Sequence, residues 1–190
     1  VCLAGLAPAT AYYLRVRARD AAGNETVSEV FSSTTPEVVT LAWEAERGDL
    51  ESPMALGNDD LAWNRAYVSS SQAGAGRVTF QVSVPTAGEY RLWCRTWTPA
   101  GQAGSFRVTP AGGVADVYDL AAAQGGVWRW SVLNGRNGGE PFTLNPRTCW
   151  VPAGTWSVEF AGETADSRLD RLVLGNDPSW APGMAGEAPV

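Results

Sequence analysis

The sequence predicts an all-β protein, either a sandwich or a barrel. Helix signals are almost absent, whereas short runs of alternating apolar and polar residues recur, separated by Gly, Pro, Asn and Asp. Two similar turn sequences, VPTAGEY and VPAGTW, each end one strand and begin the next. The predicted strands include AYYLRVRARD (11–20), RVTFQVSV (77–84), EYRLWCRTW (89–97), SFRVT (105–109), WRWSVL (128–133), TWSVEF (155–160) and RLDRLVL (168–174).

Composition excludes several classes of function. The 190 residues carry 14 basic side chains, all Arg, against 20 acidic ones, and the net charge of −6 argues against a nucleic-acid partner. The chain has no His and its 3 Cys form no CxxC pair, which makes a zinc site implausible. Oxygen ligands remain, so calcium is the metal to consider. No run approaches the roughly 20 apolar residues of a membrane helix, and no membrane insertion is expected.

Residues 1–36 form a separate segment that resembles the C-terminal half of a fibronectin type III domain. The resemblance covers LAGLAPATAYYLRVRARDAAGNETVSE, whose DAAGNET fits the final hairpin loop. It implies a tyrosine corner at Tyr12 and an immunoglobulin-like arrangement of about three strands. Because a complete sandwich of this type takes roughly 100 residues, we expect the segment to lean on its neighbour or to be poorly ordered. The residues that match the family are Leu6, Pro8, Thr10, Tyr12, Val16 and Ala18.

Three carboxylates in the second predicted domain, residues 38–180, raise the question of a cation. In the strand LAWEAE, Glu44 and Glu46 fall two apart and so share a face, where they repel unless water or a cation lies between them. Asp170 shares a face with two Leu side chains, which is a costly place for an unpaired charge. Its partner is either Arg168 or Arg171, on a solvated acidic surface, or a cation also held by the two Glu. The final segment, 181–190, is predicted to be a linker.

The second domain resembles carbohydrate-binding modules of families 6 and 35, which are calcium-stabilised β-jelly rolls. The resemblance spans 41–178 and rests on WEAERGDLESPM, AYVSSS, VPTAGEYRLWCR, WRW, VPAGTWSVEF and SRLDRLVLGND in that order. It implies a jelly roll in which Glu44, Glu46 and Asp170 hold a structural Ca²⁺. A backbone carbonyl near Asn64 or Arg65 is expected to join them.

Candidate sugar-binding residues are the aromatic side chains that are not needed for the core. Sugar rings stack on exposed aromatic rings beside polar groups. Trp97 leads into the Gly-rich loop TPAGQAGS and Trp128 follows the loop AAAQGGV, so both are expected at the rim of the sandwich. Tyr67 and the run GNDD (57–60) are further rim candidates. The resemblance places Arg168, or its neighbour Ser167, where family 6 usually has a binding Asn. The remaining assigned aromatics, Trp43, Trp130 and Trp156, are expected in the core.

Two cysteines are also expected to face the core. By strand parity Cys94 follows Tyr90 and Leu92, and Cys149 precedes Val151. A disulfide between them and a pair of buried free thiols are both compatible with the sequence.

The resulting hypothesis is a non-catalytic module that binds a polysaccharide or oligosaccharide. We expect it to belong to a larger secreted or cell-surface bacterial protein, covalently linked to the domains that it targets to glycans. Any export signal is expected upstream of this sequence. The alternative is a structural or adhesion spacer with no glycan ligand. An enzyme is disfavoured, because the Glu44–Glu46 pair is better explained by metal binding and no nucleophile–base set is evident.

Overall fold

The computed structural model describes residues 6–111 and 113–183 and divides the chain into two units, residues 1–38 and 39–190. The boundary lies within two residues of the predicted end of the first segment. In the described ranges, no helix has the length and hydropathy that crossing a membrane requires.

The first unit is a long, interrupted hairpin. The predicted strand 11–20 is divided into β1 (Ala11–Leu14) and β2 (Arg17–Arg19), which pair antiparallel with β4 (Phe31–Thr34) and β3 (Glu25–Val27) respectively. The Tyr12 hydroxyl accepts a hydrogen bond from the Ala7 N–H at 2.7 Å, as in the predicted tyrosine corner. None of residues 6–38 is fully buried. That the first unit relies on a neighbouring domain stays a prediction.

The second unit is a two-sheet antiparallel sandwich, which confirms the predicted fold class. One sheet has five strands in the order β12-β11-β15-β9-β6, and the other has seven, with β13-β10-β16-β8-β7 as its main path, β14 beside β10 and β5 beside β16. The strands are β5 (Thr40–Glu44), β6 (Asp49–Glu51), β7 (Met54–Asn58), β8 (Ala66–Ser70), β9 (Arg77–Val84), β10 (Gly88–Trp97), β11 (Gly104–Thr109), β12 (Asp116–Leu120), β13 (Arg129–Val132), β14 (Thr148–Val151), β15 (Gly154–Gly162) and β16 (Arg168–Gly175).

The core between the sheets follows the period-two pattern of the sequence. In β9 and β15 alternate residues are buried, because one face of each strand packs on the opposite sheet. Trp43 and Trp156 are partly buried against this core, as predicted. Its largest fully buried side chains include Tyr90, Phe106, Tyr118, Leu133, Phe160, Leu169 and Leu172.

A β-bulge in β16 changes the expected environment of Asp170. Arg171 pairs with Arg95 of β10, whereas Leu169 pairs with Thr96, so Asp170 is the extra residue with no partner in the register. The parity that placed Asp170 on one face with two Leu residues is therefore broken at this point. Asp170 is nevertheless fully buried, with 0% of its surface exposed.

The structure corrects one expectation about the core. Trp130 is half-buried but lies outside the core, because it pairs with Arg95 on the outer face while its neighbour Ser131 pairs with buried Cys94. Of the two alternatives that the sequence left open for the cysteines, the structure has the free thiols, with Cys94 buried in the core and Cys149 partly buried against it, as expected. The third cysteine, Cys2, lies outside the described residues.

The chain after β16 packs on the sheet before the predicted linker begins. The Trp180 ring meets the Trp93 ring edge-on, with centroids 6.5 Å apart, and Arg91 Nη1 donates to the Pro178 carbonyl at 2.5 Å. Residues 181–183 have no regular structure, and the rest of the predicted linker, 184–190, lies outside the described residues.

Candidate functional site

Four residues predicted to bind sugar come together at one rim of the seven-stranded sheet. Trp97 ends β10 and is paired in register with Arg168, the first residue of β16. On the other side of β16, Tyr67 lies in β8, and its ring is 5.8 Å from that of Trp128, centroid to centroid. The Trp128 side chain comes from the loop before β13. We call Tyr67, Trp97, Trp128 and Arg168 the rim cluster.

The Arg168 guanidinium stacks on two aromatic rings. Its Cζ atom lies 3.9 Å from the centroid of Trp97 and 4.6 Å from that of Tyr67, both within cation–π range. These contacts follow from the order of the strands, since β16 lies between β10 and β8. In this position 26% of the Arg168 side chain remains exposed.

Asp59 connects the two halves of the rim cluster. One carboxylate oxygen, Oδ2, accepts the Trp128 Nε1–H at 3.2 Å and pairs with Arg168 Nη1 at 3.3 Å. Sequence reasoning marked Asp59 only as part of an acidic rim run and gave it no partner. The loop that carries it is closed by backbone bonds, from the Ala62 N–H to the Asp59 carbonyl and from the Asp59 N–H to the Arg65 carbonyl.

Gly57 makes room for the Tyr67 ring. The two residues pair across β7 and β8, and a Cβ atom on Gly57 would lie 2.3 Å from Tyr67 Cζ. A side chain larger than hydrogen would therefore force the ring off its present position beside Arg168 and Trp128.

Arg95 was not predicted, and it joins the rim cluster to the buried acidic group. Its guanidinium lies over Trp128, with Cζ 5.4 Å from the ring centroid, and Nη2 donates to the Leu61 carbonyl at 2.9 Å. Nη1 forms a short ion pair with Asp170 Oδ2. Asp170 also accepts the Trp63 N–H, at 3.0 Å to Oδ1 and 3.1 Å to Oδ2. The sequence-based pairing of Asp170 with Arg168 or Arg171 is therefore wrong.

Glu44 and Glu46 lie close to this group, although not on one strand face as predicted. Glu44 ends β5, and the chain then turns through the 3-10 segment Ala45–Arg47, so Glu46 lies beyond the strand. Glu44 Oε1 pairs with Arg171 Nε at 3.2 Å. The other oxygen of Glu44 and the Oε2 of Glu46 are buried and have no hydrogen-bond partner among the described residues.

Two of the three carboxyl groups, those of Glu44 and Asp170, have raised pKa values. Burial raises the pKa of Glu44 to about 7, and the charges of Glu46 and Asp170 add to this rise while that of Arg171 opposes it. Burial likewise raises the pKa of Asp170, against the hydrogen bonds from Trp63 and Arg95. Like charges held together in this way are an environment that a cation stabilises.

The side chains around Glu44, Glu46 and Asp170 meet only some of the requirements of a Ca²⁺ site. The two orphaned oxygens of Glu44 and Glu46 suit Ca²⁺, which prefers oxygen ligands and tolerates irregular geometry. A cavity of about 500 Å³ is lined by Glu44, Asp49 and Asn64, among others. Asp170 fits only in exchange for its ion pair with Arg95. Within the described residues, no three His, Cys, Asp or Glu side chains are placed as a metal-binding group.

Comparison with solved structures identifies the fold. A family 35 carbohydrate-binding module from Clostridium thermocellum superposes with a TM-score of 0.55 at 15% identity, over 72% of this chain and 97% of the module. The C-terminal family 6 module of a marine laminarinase from Zobellia galactanivorans matches with a TM-score of 0.50 at 16% identity, over 72% and 98%. The second unit shares the fold of these modules. The jelly-roll expectation is thereby confirmed.

The fold also occurs within larger enzymes. An exo-β-1,3-galactanase from Phanerochaete chrysosporium matches with a TM-score of 0.57 at 15% identity, over 80% of this chain. This chain spans only 31% of that galactanase. No protein-family model matches the sequence, and no curated protein matches it either. At these identities the likeness shows the fold alone.

Proposed function

We propose that the second unit is a non-catalytic glycan-binding module that attaches neighbouring domains of a larger extracellular protein to a polysaccharide. The observation that carries the proposal is the rim cluster. Three aromatic rings, a stacked guanidinium and the Asp59 carboxylate meet at one edge of the sandwich. Aromatic faces beside planar polar groups are the combination that a sugar ring requires.

The fold comparisons support the same function. Two of the matching structures are carbohydrate-binding modules that this chain covers almost completely, at 97% and 98% of their length. The attachment of a module to further domains also has a parallel in the structure of a β-(1,4)-mannanase from Podospora anserina that carries a family 35 module. A spacer without a ligand would need no such rim cluster.

A glycan panel tests this proposal. We expect the wild type to bind at least one polysaccharide and the variants Trp97→Ala and Trp128→Ala to lose at least about tenfold in affinity each. Trp150→Ala is the matched control, because the Trp150 side chain is 66% exposed and lies opposite Glu89, at the other end of β10 from Trp97. Binding that is unaffected by both rim substitutions would remove the site, and no binding by the wild type would favour the spacer.

We further propose that Glu44 and Glu46 hold a structural Ca²⁺, with Asp170 as a third ligand. The support is the pair of buried, unpartnered carboxylate oxygens on Glu44 and Glu46. The ion would neutralise the repulsion among these groups and tie the first strand of the sandwich, β5, to its last strand, β16.

Thermal unfolding with Ca²⁺ and with a chelator tests the ion. We expect chelation to lower the midpoint of the wild type, and Glu46→Gln to abolish the difference. Asp60→Asn serves as the control, because Asp60 forms an exposed pair with Arg65. An unchanged midpoint in the wild type would exclude the site.

A further inference from the structure

The space between Trp97 and Tyr67 is filled by a side chain of the protein itself. The rings come from β10 and β8, on either side of β16, and Arg168 of β16 projects between them. Its Cζ atom is 3.9 Å from one ring centroid and 4.6 Å from the other. Each ring thus has the guanidinium on the face that it turns toward the other ring. We call this space the Trp97–Tyr67 slot.

A sugar ring and the guanidinium cannot occupy the slot together. Stacking places the C–H face of a sugar in van der Waals contact with an aromatic face, at about 4 Å. That distance is already taken by the guanidinium on both Trp97 and Tyr67. A ligand that stacks there has to displace Arg168 first.

The guanidinium is held in the slot from its edge as well as from its faces. Asp59 Oδ2 pairs with Arg168 Nη1 at 3.3 Å, and the same oxygen is anchored by the Trp128 indole N–H at 3.2 Å. The ion pair is about three-quarters shielded from water, with 26% of the Arg168 side chain and 22% of the Asp59 side chain exposed. The ion pair with Asp59 and the contacts with the two aromatic rings therefore keep the Arg168 guanidinium in the slot.

We infer that Arg168 is a specificity-determining residue: it fills the Trp97–Tyr67 slot and restricts glycans to the ring faces of the rim cluster that lie outside the slot. The inference rests on the proposed function, since it concerns the same site. It implies that a shorter side chain at this position opens a second stacking position between two aromatic rings. The module then accepts glycans that the wild type excludes and binds its own ligand more tightly.

Two substitutions separate the volume of Arg168 from its charge. Arg168→Ala empties the slot, whereas Arg168→Met keeps its inner part filled with an uncharged side chain that ends at about the place of the Arg168 Nε atom. By calorimetry against an oligosaccharide series from the glycan that the wild type binds best, we expect Arg168→Ala to gain about tenfold in affinity. Arg168→Met should show no such gain, because its side chain still occupies the inner part of the slot. Arg65→Ala, which removes an exposed guanidinium, should change nothing.

The outcomes distinguish this inference from the proposed function. Loss of binding in both Arg168 variants means that the guanidinium contacts the ligand, and an equal gain in both means that charge rather than volume excludes it. Either result overturns the inference and leaves the glycan-binding function intact. Absence of binding by all of these proteins overturns the function itself.

A measurement without ligand checks the opened slot. With 5-fluorotryptophan incorporated, the ¹⁹F resonance of Trp97, assigned by its loss in Trp97→Phe, should shift in Arg168→Ala far more than in Arg168→Met. An unshifted resonance in Arg168→Ala would mean that Arg168 does not cover Trp97, and the inference would be wrong.

Discussion

Trp97 and Arg168 face each other across β10 and β16, and the guanidinium of Arg168 lies over the Trp97 ring, with Cζ 3.9 Å from the ring centroid. The pair shows how sheet register builds the candidate site. Residues separated by 71 positions in the chain become neighbours because the end of one strand meets the start of another. Tyr67 joins them from the next strand, and Asp59 closes the group from a loop.

Replacing Gly57 by Ala should displace the Tyr67 ring. The added Cβ would lie 2.3 Å from Tyr67 Cζ, so either the ring moves or the β7–β8 pair distorts, at a cost of about 1–3 kcal/mol. We expect weaker glycan binding and a lower midpoint of urea unfolding. Gly88→Ala is the control, because the nearest side-chain atom to its Cβ is 3.8 Å away. Equal effects of the two substitutions would contradict the role given to Gly57.

Replacing Asp59 by Ala should loosen both Trp128 and Arg168. The carboxylate is the acceptor for the indole N–H and the partner of the guanidinium. Since the pair is partly exposed, we expect a loss of only about 1 kcal/mol in the free energy of unfolding but a larger loss in glycan affinity. Asp60→Ala, which breaks a more exposed pair with Arg65, should affect neither quantity appreciably. A fall in stability with unchanged affinity would place Asp59 outside the binding site.

The location of Trp97 and Trp128 at the rim could be predicted from the sequence, because the residues next to each Trp show where a strand meets a loop. Trp97 and Trp128 lie next to Gly-rich segments, and a residue at the end of a strand that leads into such a loop lies at the edge of a sandwich whatever its partners are. The strongly alternating strands were equally predictable, and β9 has the predicted bounds of 77–84. In each case the information lies within about ten neighbouring residues.

The partners of the charged groups could not be predicted, because they depend on pairing between distant strands. A single bulge at Asp170 shifts the register by one residue, which brings Arg95 rather than Arg168 or Arg171 to its carboxylate. The turn at Ala45 removes Glu46 from the strand on which alternation had placed it. Trp130 is expected in the core, but the pairing of Ser131 with Cys94 puts it on the outer face.

Removing the positive charge of Arg95 should destabilise the fold strongly. Asp170 is fully buried, and Arg95→Met would leave its carboxylate with only the Trp63 N–H as a donor. Breaking a buried pair in this way costs about 3–5 kcal/mol. We expect the double variant Arg95→Met/Asp170→Asn to recover part of this loss in urea unfolding, because the charge is then removed as well. No recovery would show that Arg95 acts through its packing on Trp128.

If Asp170 is a calcium ligand, Ca²⁺ should reduce the loss of stability caused by Arg95→Met. With Arg95 gone, the ion is the remaining cationic partner for the carboxylate, and binding to the folded state alone raises stability. We therefore expect a larger shift of the unfolding midpoint with Ca²⁺ in Arg95→Met than in the wild type. Arg65→Met is the control, since its partner Asp60 is on the surface. Equal shifts in all three proteins would argue that Asp170 is not part of the site.

The titration of Glu44 gives the metal-free protein a distinctive dependence on pH. Burial raises the pKa of this carboxyl from 4.5 to about 7. Between these two values the folded state holds a proton that the unfolded chain has released, so the free energy of unfolding falls as the pH rises. For a side chain that is 13% exposed, we expect a loss of about 2 kcal/mol across the window.

Urea unfolding from pH 4.5 to 7.5, after removal of divalent cations, measures the contribution of Glu44. The wild type and Glu44→Gln each give a curve of unfolding free energy against pH, and the difference between the two curves is that contribution. The Gln variant cannot titrate at position 44, so the excess downward slope should be present in the wild type alone. Saturating Ca²⁺ should cancel or reverse that slope, because a bound cation stabilises the ionised carboxylate and is released as protons compete for it. A metal-free wild type whose stability rises relative to the variant over this range would show that Glu44 is ionised at low pH. The carboxylate would then be stabilised by Arg171 rather than strained by its acidic neighbours.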